Sequence, residues 1–200
     1  MNLAQYGIHV GTLHRNPSPA QLYEDGISKD GSVIVSSGAI NADSGAKKGR
    51  SPKDKRVVEE PSSKDDIWWG NVNIPFSSDS FEQTKQTAIE FLNTCDELYI
   101  VDGYAGWDPA TQIKVRIICS RPYHALFMHN MLIRLNEDEL ADFGEPDYVI
   151  FNAGCGEADP SIEGVDSKTS VALSFATKEF VILGTEYAGE MKKGIFTIMN

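Results

Sequence analysis

Two adjacent lysines flanked by glycine and tyrosine are a pattern that can do chemistry, above all in an acidic chain. The stretch EYAGEMKKGIF, residues 186–196, sets Lys192 and Lys193 beside Tyr187, Gly189 and Gly194. A second stretch, SGAKKGRSPKDKR at 44–56, packs six of the eighteen basic residues (Lys47, Lys48, Arg50, Lys53, Lys55 and Arg56) into ten positions, punctuated by Gly45, Gly49 and Pro52. Glycine lets backbone N–H groups come close to a ligand, and an arginine fork grips a carboxylate or phosphate at two points, which an ammonium group cannot do. Together these residue types describe an anion site. They also admit a plainer reading, in which 44–56 is a solvated basic loop and Glu190 and Lys193 pair on an exposed helix. The loop is not a nucleotide-binding P-loop, because GxxxGRS is one residue short of GxxxxGK[ST] and offers Arg50 where that motif needs lysine.

The elements that must hold these residues can be read from periodicity. PSPAQLYEDG predicts a short helix with proline near its start and glycine at its end, and SVIVSSGAI a β-rich segment leading into the basic stretch. From Ser80, taken as the N-cap, Phe81, Ala88, Phe91 and Leu92 share one helical face. ELYIVDGYAG and IKVRIICS read as consecutive strands joined through GWDPA, DYVIFNAG and TSVALSFATKEFVILG as further strands, and YHALFMHNMLIRL as a helix apolar nearly all round. At the end, Met191, Ile195 and Ile198 form the apolar face of a helix, with Glu190, Lys193, Thr197 and Asn200 as its polar stripe. Glycines at 184, 189 and 194 are costly there, at about 1 kcal/mol each relative to alanine inside a helix. This pattern predicts an α/β fold, a mixed β-sheet flanked by helices, over residues 1–200 as one domain. The stretches 61–66 and 155–168 read as surface loops.

A hydrophobic content of 41% supports a packed core. The net charge of −11 speaks against nucleic-acid or anionic-membrane partners, so an anion must be met locally. No apolar run approaches the roughly 20 residues of a membrane span, and no leader pattern opens the chain. Cys95, Cys119 and Cys155 are odd in number and widely spaced, which fits free thiols in a cytoplasmic protein.

Four ordered stretches carry a resemblance: GRSPKDKR (49–56), YAGWDP (104–109), IKVRIICSRPYHALFMHNMLIR (113–134) and GTEYAGEMKKGIF (184–196). Together they resemble the N-terminal, substrate-binding domain of ATP-dependent phosphoenolpyruvate carboxykinase. The resemblance implies a gluconeogenic enzyme of the cytoplasm that turns oxaloacetate and ATP into phosphoenolpyruvate, CO₂ and ADP with Mn²⁺ and Mg²⁺. It implies that Arg50 holds the substrate, that Tyr187 borders it with Gly189 alongside, and that Lys193 ligates Mn²⁺ as a neutral amine. Lys192 is the neighbouring cation that would help Lys193 lose its proton. The P-loop, a histidine and an aspartate ligand, and most of the ATP site would come from a nucleotide-binding C-terminal domain that these 200 residues do not contain. The alternative is a non-catalytic carboxylate- or anion-binding module.

Other polar residues receive plainer assignments. His124 and His129, five apart on a helix, do not share a face and are not a metal pair. Asp102 and Asp108 flank a turn and are assigned to local backbone donors, and Trp68, Trp69 and Trp107 to packing.

Overall fold

In chain order the elements are β1 (Thr12–Arg15), α1 (Pro19–Lys29), β2 (Val33–Ile34), β3 (Ile40–Asn41), β4 (Lys55–Val58), β5 (Ile74–Phe76), α2 (Ser78–Asn93), β6 (Glu97–Ala105), β7 (Ile113–Cys119), α3 (Pro122–Met131), α4 (Glu137–Ala141), β8 (Tyr148–Ala153), β9 (Ser170–Ser174), β10 (Glu179–Leu183) and α5 (Gly189–Met199). This is a computed structural model and describes residues 2–199. Eight strands form one mixed sheet in the order β1-β6-β7-β8-β10-β9-β4-β5. Its two antiparallel contacts are the hairpins β6/β7 and β9/β10, and every other neighbour is parallel.

Strand alternation sorts the apolar side chains onto two covered faces. On β6, Leu98 and Ile100 point to one core, and Tyr99 and Val101 to the other. Both faces being apolar is what a sheet buried between helices requires. The first core joins α2, through Phe81, Ala88 and Leu92, to Ile118, Phe151 and Val181. The second joins α3 and α5, through Ala125, Met128, Met191 and Ile195, to Ile117, Ile150 and Ile182. The expected α/β architecture, a mixed sheet flanked by helices, is therefore present. The apolar face expected of the last helix is buried at Met191 and Ile195 and half-buried at Ile198.

Several local expectations are corrected. The first helix does not end at Gly26. It runs through that buried glycine to Lys29, because tertiary packing outweighs glycine's poor propensity. α2 starts two residues before Ser80, and Ser77 is its cap, accepting the Ser80 amide. SVIVSSGAI yields only the two-residue strands β2 and β3, outside the main sheet, with Val33 and Ile34 exposed. The stretch 155–168 is irregular but not superficial, since it buries Ala158, Ile162 and Val165 in the α2 core. Trp68 and Trp107 are 91% and 85% exposed, so they are not packing residues within this fold. Asp102 lies inside β6, not at a turn, and its buried carboxylate is bound by Arg116 and Arg15. Asp108 does accept a local backbone donor, the Ala110 amide.

Candidate anion-binding site

The fold sorts the six cations of the 44–56 stretch into two sets. Lys47 pairs with Asp54 at 3.1 Å, Lys48 with Asp43, and Arg56 with Asp166 at 2.6 Å. Arg56 and Lys55 are not loop residues, because β4 begins at Lys55 and Arg56 is buried, its guanidinium also donating to the carbonyls of Gly164 and Lys53. Arg50, Lys53 and Lys55 make no ion pair among the described residues. Lys55 Nζ instead meets the neutral oxygens of Asn73 (2.8 Å) and Thr197 (3.3 Å). Burial, followed by the charges of Lys193 and Arg50, depresses the pKa of Lys55.

The opposite wall is the turn between β10 and α5. Gly184 has φ +67°, and a Cβ there would lie 1.8 Å from the carbonyl oxygen of Lys168, so only glycine fits. Arg121, at the N-cap of α3, and two side chains of the helix's first turn then fix the residues on either side of Tyr187. Arg121 Nη1 donates to the Glu186 carboxylate at 2.7 Å, while its Nε donates to Asp30 at 2.7 Å. The Ala188 amide donates to Tyr123 Oη at 3.0 Å. His124 Nε2 lies 2.7 Å from the Glu186 carbonyl, which can only accept, so Nε2 carries the proton and Nδ1 accepts from Asn152 Nδ2 at 3.3 Å. Burial pushes the pKa of His124 down to about 4, keeping the ring neutral.

Helix α5 closes the site. Gly189 and Gly194 are close-packing positions, since a Cβ would stand 2.4 Å from the Tyr187 ring and 2.4 Å from the Phe180 ring respectively. The expected exposed Glu190–Lys193 pair does not form among the described residues. Glu190 is buried and accepts the Ser51 amide, because its position in the first turn faces the basic loop and not solvent. Lys193 Nζ lies 3.9 Å from the centroid of the Phe196 ring. Asn200, placed on the polar stripe by periodicity, lies outside the described residues.

Arg50, Tyr187, Gly189, Lys192, Lys193 and Phe196 line one surface pocket. The five residues given a site role by the resemblance, Arg50, Tyr187, Gly189, Lys192 and Lys193, thus lie on its wall, whereas Lys47, Lys48, Lys53, Lys55 and Arg56 of the basic stretch do not. A smaller recess beside it brings Lys55, Ser51, Glu190 and Thr197 next to Arg50 and Lys193. The family model for phosphoenolpyruvate carboxykinase matches residues 11–200.

The chain belongs to the phosphoenolpyruvate carboxykinase family. It is 57% identical to phosphoenolpyruvate carboxykinase (ATP) 2 of Salinibacter ruber over the whole chain, which is 38% of that protein. It is 59% identical over 94% of the chain to the phosphoenolpyruvate carboxykinase (ATP) of Dictyostelium discoideum, and 56% over 95% to that of Saccharomyces cerevisiae, covering 34% and 35% of them. The chain thus spans little more than a third of the length of these relatives.

The pocket's charged groups are a guanidinium and two amines, with the Tyr187 hydroxyl beside them. The described residues contain no group of three or more histidine, cysteine, aspartate or glutamate side chains able to hold a metal ion. A divalent cation does not fit this donor set by itself, because one neutral amine is a single ligand amid like charge. No described helix is long and apolar enough to cross a membrane.

Sequence reasoning assigns Arg121, Tyr123 and His124 of SRPYH no role at the site, and it places Glu190 on an exposed helix face and Lys55 only as one cation of the basic stretch.

Proposed function

We propose that these residues form the oxaloacetate-binding part of an ATP-dependent phosphoenolpyruvate carboxykinase, which converts oxaloacetate and ATP to phosphoenolpyruvate, CO₂ and ADP. The observation that carries the reading is a pocket holding Arg50, Lys192 and Lys193 in an acidic protein, with none of the three in an ion pair among the described residues. Oxaloacetate is a small dianion, and cations left without protein carboxylates suit it.

In this reading the Arg50 fork spans a substrate carboxylate, Lys192 and Lys193 face it across the pocket, and Tyr187 bounds one side. Departure of CO₂ leaves an enolate, and charges already aimed at its oxygen lower the barrier without reorganisation. The same oxygen is then the nucleophile for phosphoryl transfer from ATP, a step governed by positioning and charge neutralisation. ATP and its Mg²⁺ would be held mainly by the part of the relatives' length that this chain does not span. Mn²⁺ would take Lys193 as one ligand only together with donors from that same part, and would add charge neutralisation when bound.

Calorimetric titration with oxalate, a minimal dicarboxylate, tests the site directly. Arg50→Lys keeps the charge but loses the planar fork, and should weaken oxalate about tenfold while leaving the melting temperature unchanged. Absence of oxalate binding by the parent at millimolar concentration, or parent-like affinity in Arg50→Lys, overturns the reading.

A further inference from the structure

Glu190 is an acidic residue at the edge of a site built from cations. It is 5% exposed, forms no ion pair among the described residues, and places Oε1 2.5 Å from the amide nitrogen of Ser51. Ser51 directly follows Arg50 and is 139 positions away in sequence. Among the described residues this is the only hydrogen bond between the stretch 44–54 and α5. The rest of the loop is tied elsewhere: Lys47 to Asp54 and Ser51, Lys48 to Asp43. Burial raises the pKa of Glu190, while the Ser51 amide and the charge of Arg50 pull it down. The group therefore keeps an acceptor oxygen on the Ser51 amide whichever way it is protonated.

We infer that Glu190 is a positioning residue for the anion site: as a hydrogen-bond acceptor it pins the Arg50–Ser51 backbone to the first turn of α5 and so fixes the spacing between Arg50 and the Lys192–Lys193 pair. The inference rests on the proposed anion-binding role of that pocket. Two other links join the walls further from Arg50: Lys55 Nζ donates to Thr197 Oγ1 at 3.3 Å, and Arg121 donates to both the Asp43 carbonyl and the Glu186 carboxylate. The Ser51–Glu190 bond is the one next to Arg50. Without the link, Arg50, which is exposed, would sample orientations that no longer meet a ligand held by the lysines. The carboxylate's charge is not what the role requires, since it opposes an anion; the acceptor is.

Two variants of the chain separate the acceptor from the charge. Glu190→Gln keeps an oxygen for the Ser51 amide and should bind oxalate as tightly as the parent or more tightly. Glu190→Ala removes the oxygen and should weaken oxalate about tenfold with unchanged helical circular dichroism. Hydrogen exchange at the Ser51 amide, followed by ¹⁵N NMR, should be slow in the parent and in Glu190→Gln and fast in Glu190→Ala. Equal Ser51 exchange in all three proteins overturns the link, as does a Gln variant that binds as weakly as the Ala variant. If the parent binds no oxalate, the functional reading fails on its own, and the Ser51 exchange still decides whether Glu190 holds the loop.

Discussion

The two walls of the pocket are held in opposite ways. The basic stretch before β4 is stapled mostly by its own neighbours, Lys47 to Asp54 and Lys48 to Asp43, seven and five residues apart, with Glu190 and Ser167 adding one distant bond each. The turn at 184–190 has a few local backbone bonds, from Glu190 and Met191 to the carbonyls of Tyr187 and Ala188, but is held mainly from a distance. Arg121, Tyr123 and His124, more than sixty residues away, bond Glu186 and Ala188, Gly184 bonds Gly156 and Thr169, and the entry squeezes past the backbone of Lys168. A locally tied loop can deform at little cost to the fold, whereas a turn tied to α3 and the sheet is as stable as the core beneath it.

Three perturbations should break or sharpen this contrast. The largest effect belongs to Gly184→Ala, which combines a left-handed backbone with a Cβ driven into the Lys168 carbonyl. It should remove more than about 4 kcal/mol and leave little folded protein at 37 °C, as read by urea unfolding and soluble yield.

Acid is the second. The unfolded chain protonates a histidine near pH 6.5, whereas folded His124 resists until about pH 4. Below 6.5 the unfolded state binds the extra proton, so this contribution to stability is complete above 6.5 and disappears as pH falls towards 4. The total is about 3 kcal/mol, and roughly 2 of it should be gone by pH 5. Urea midpoints at pH 7 and 5 should show the drop in the parent, and His124→Gln should flatten it.

The smallest effect is expected in the loop. The Lys47–Asp54 contact is a partly exposed pair worth a few tenths of a kcal/mol, so Lys47→Ala should shift the melting temperature by a degree or two. A loss as large as that of Gly184→Ala would show that the two walls are not held differently after all.

Legibility in the sequence follows the same division. The strands of β6, β7, β8 and β10 were readable because a sheet buried on both faces writes continuous Ile/Val/Tyr runs, and α3 because a helix packed against it is apolar nearly all round. Boundaries were less so. Ser80 looked like a cap because serine suits that role, yet Ser77 three residues earlier has the same chemistry and the extended backbone that a cap needs. Gly26 looked like a stop, yet its lack of a side chain lets Ile40 lie against the helix, a contact no local rule contains. Of the pocket, Arg50, Tyr187, Gly189, Lys192 and Lys193 are named by the family resemblance of the motifs they sit in, since residue types alone leave a solvated loop and a surface helix open. Lys55 and Glu190 could not be sorted, since period alone does not say which neighbour a charged residue will face.

The sequence by itself determined the apolar periods that build sheet and helices and the residue types gathered in the two basic motifs. Only the tertiary structure decided which cations stay unpaired. Lys47, Lys48 and Arg56 find carboxylates while Arg50 and Lys55 do not, and that selection depends on where Asp54, Asp43 and Asp166 come to lie. Charge is written along the chain, but its neutralisation is a matter of distance in space, and distance is set by packing.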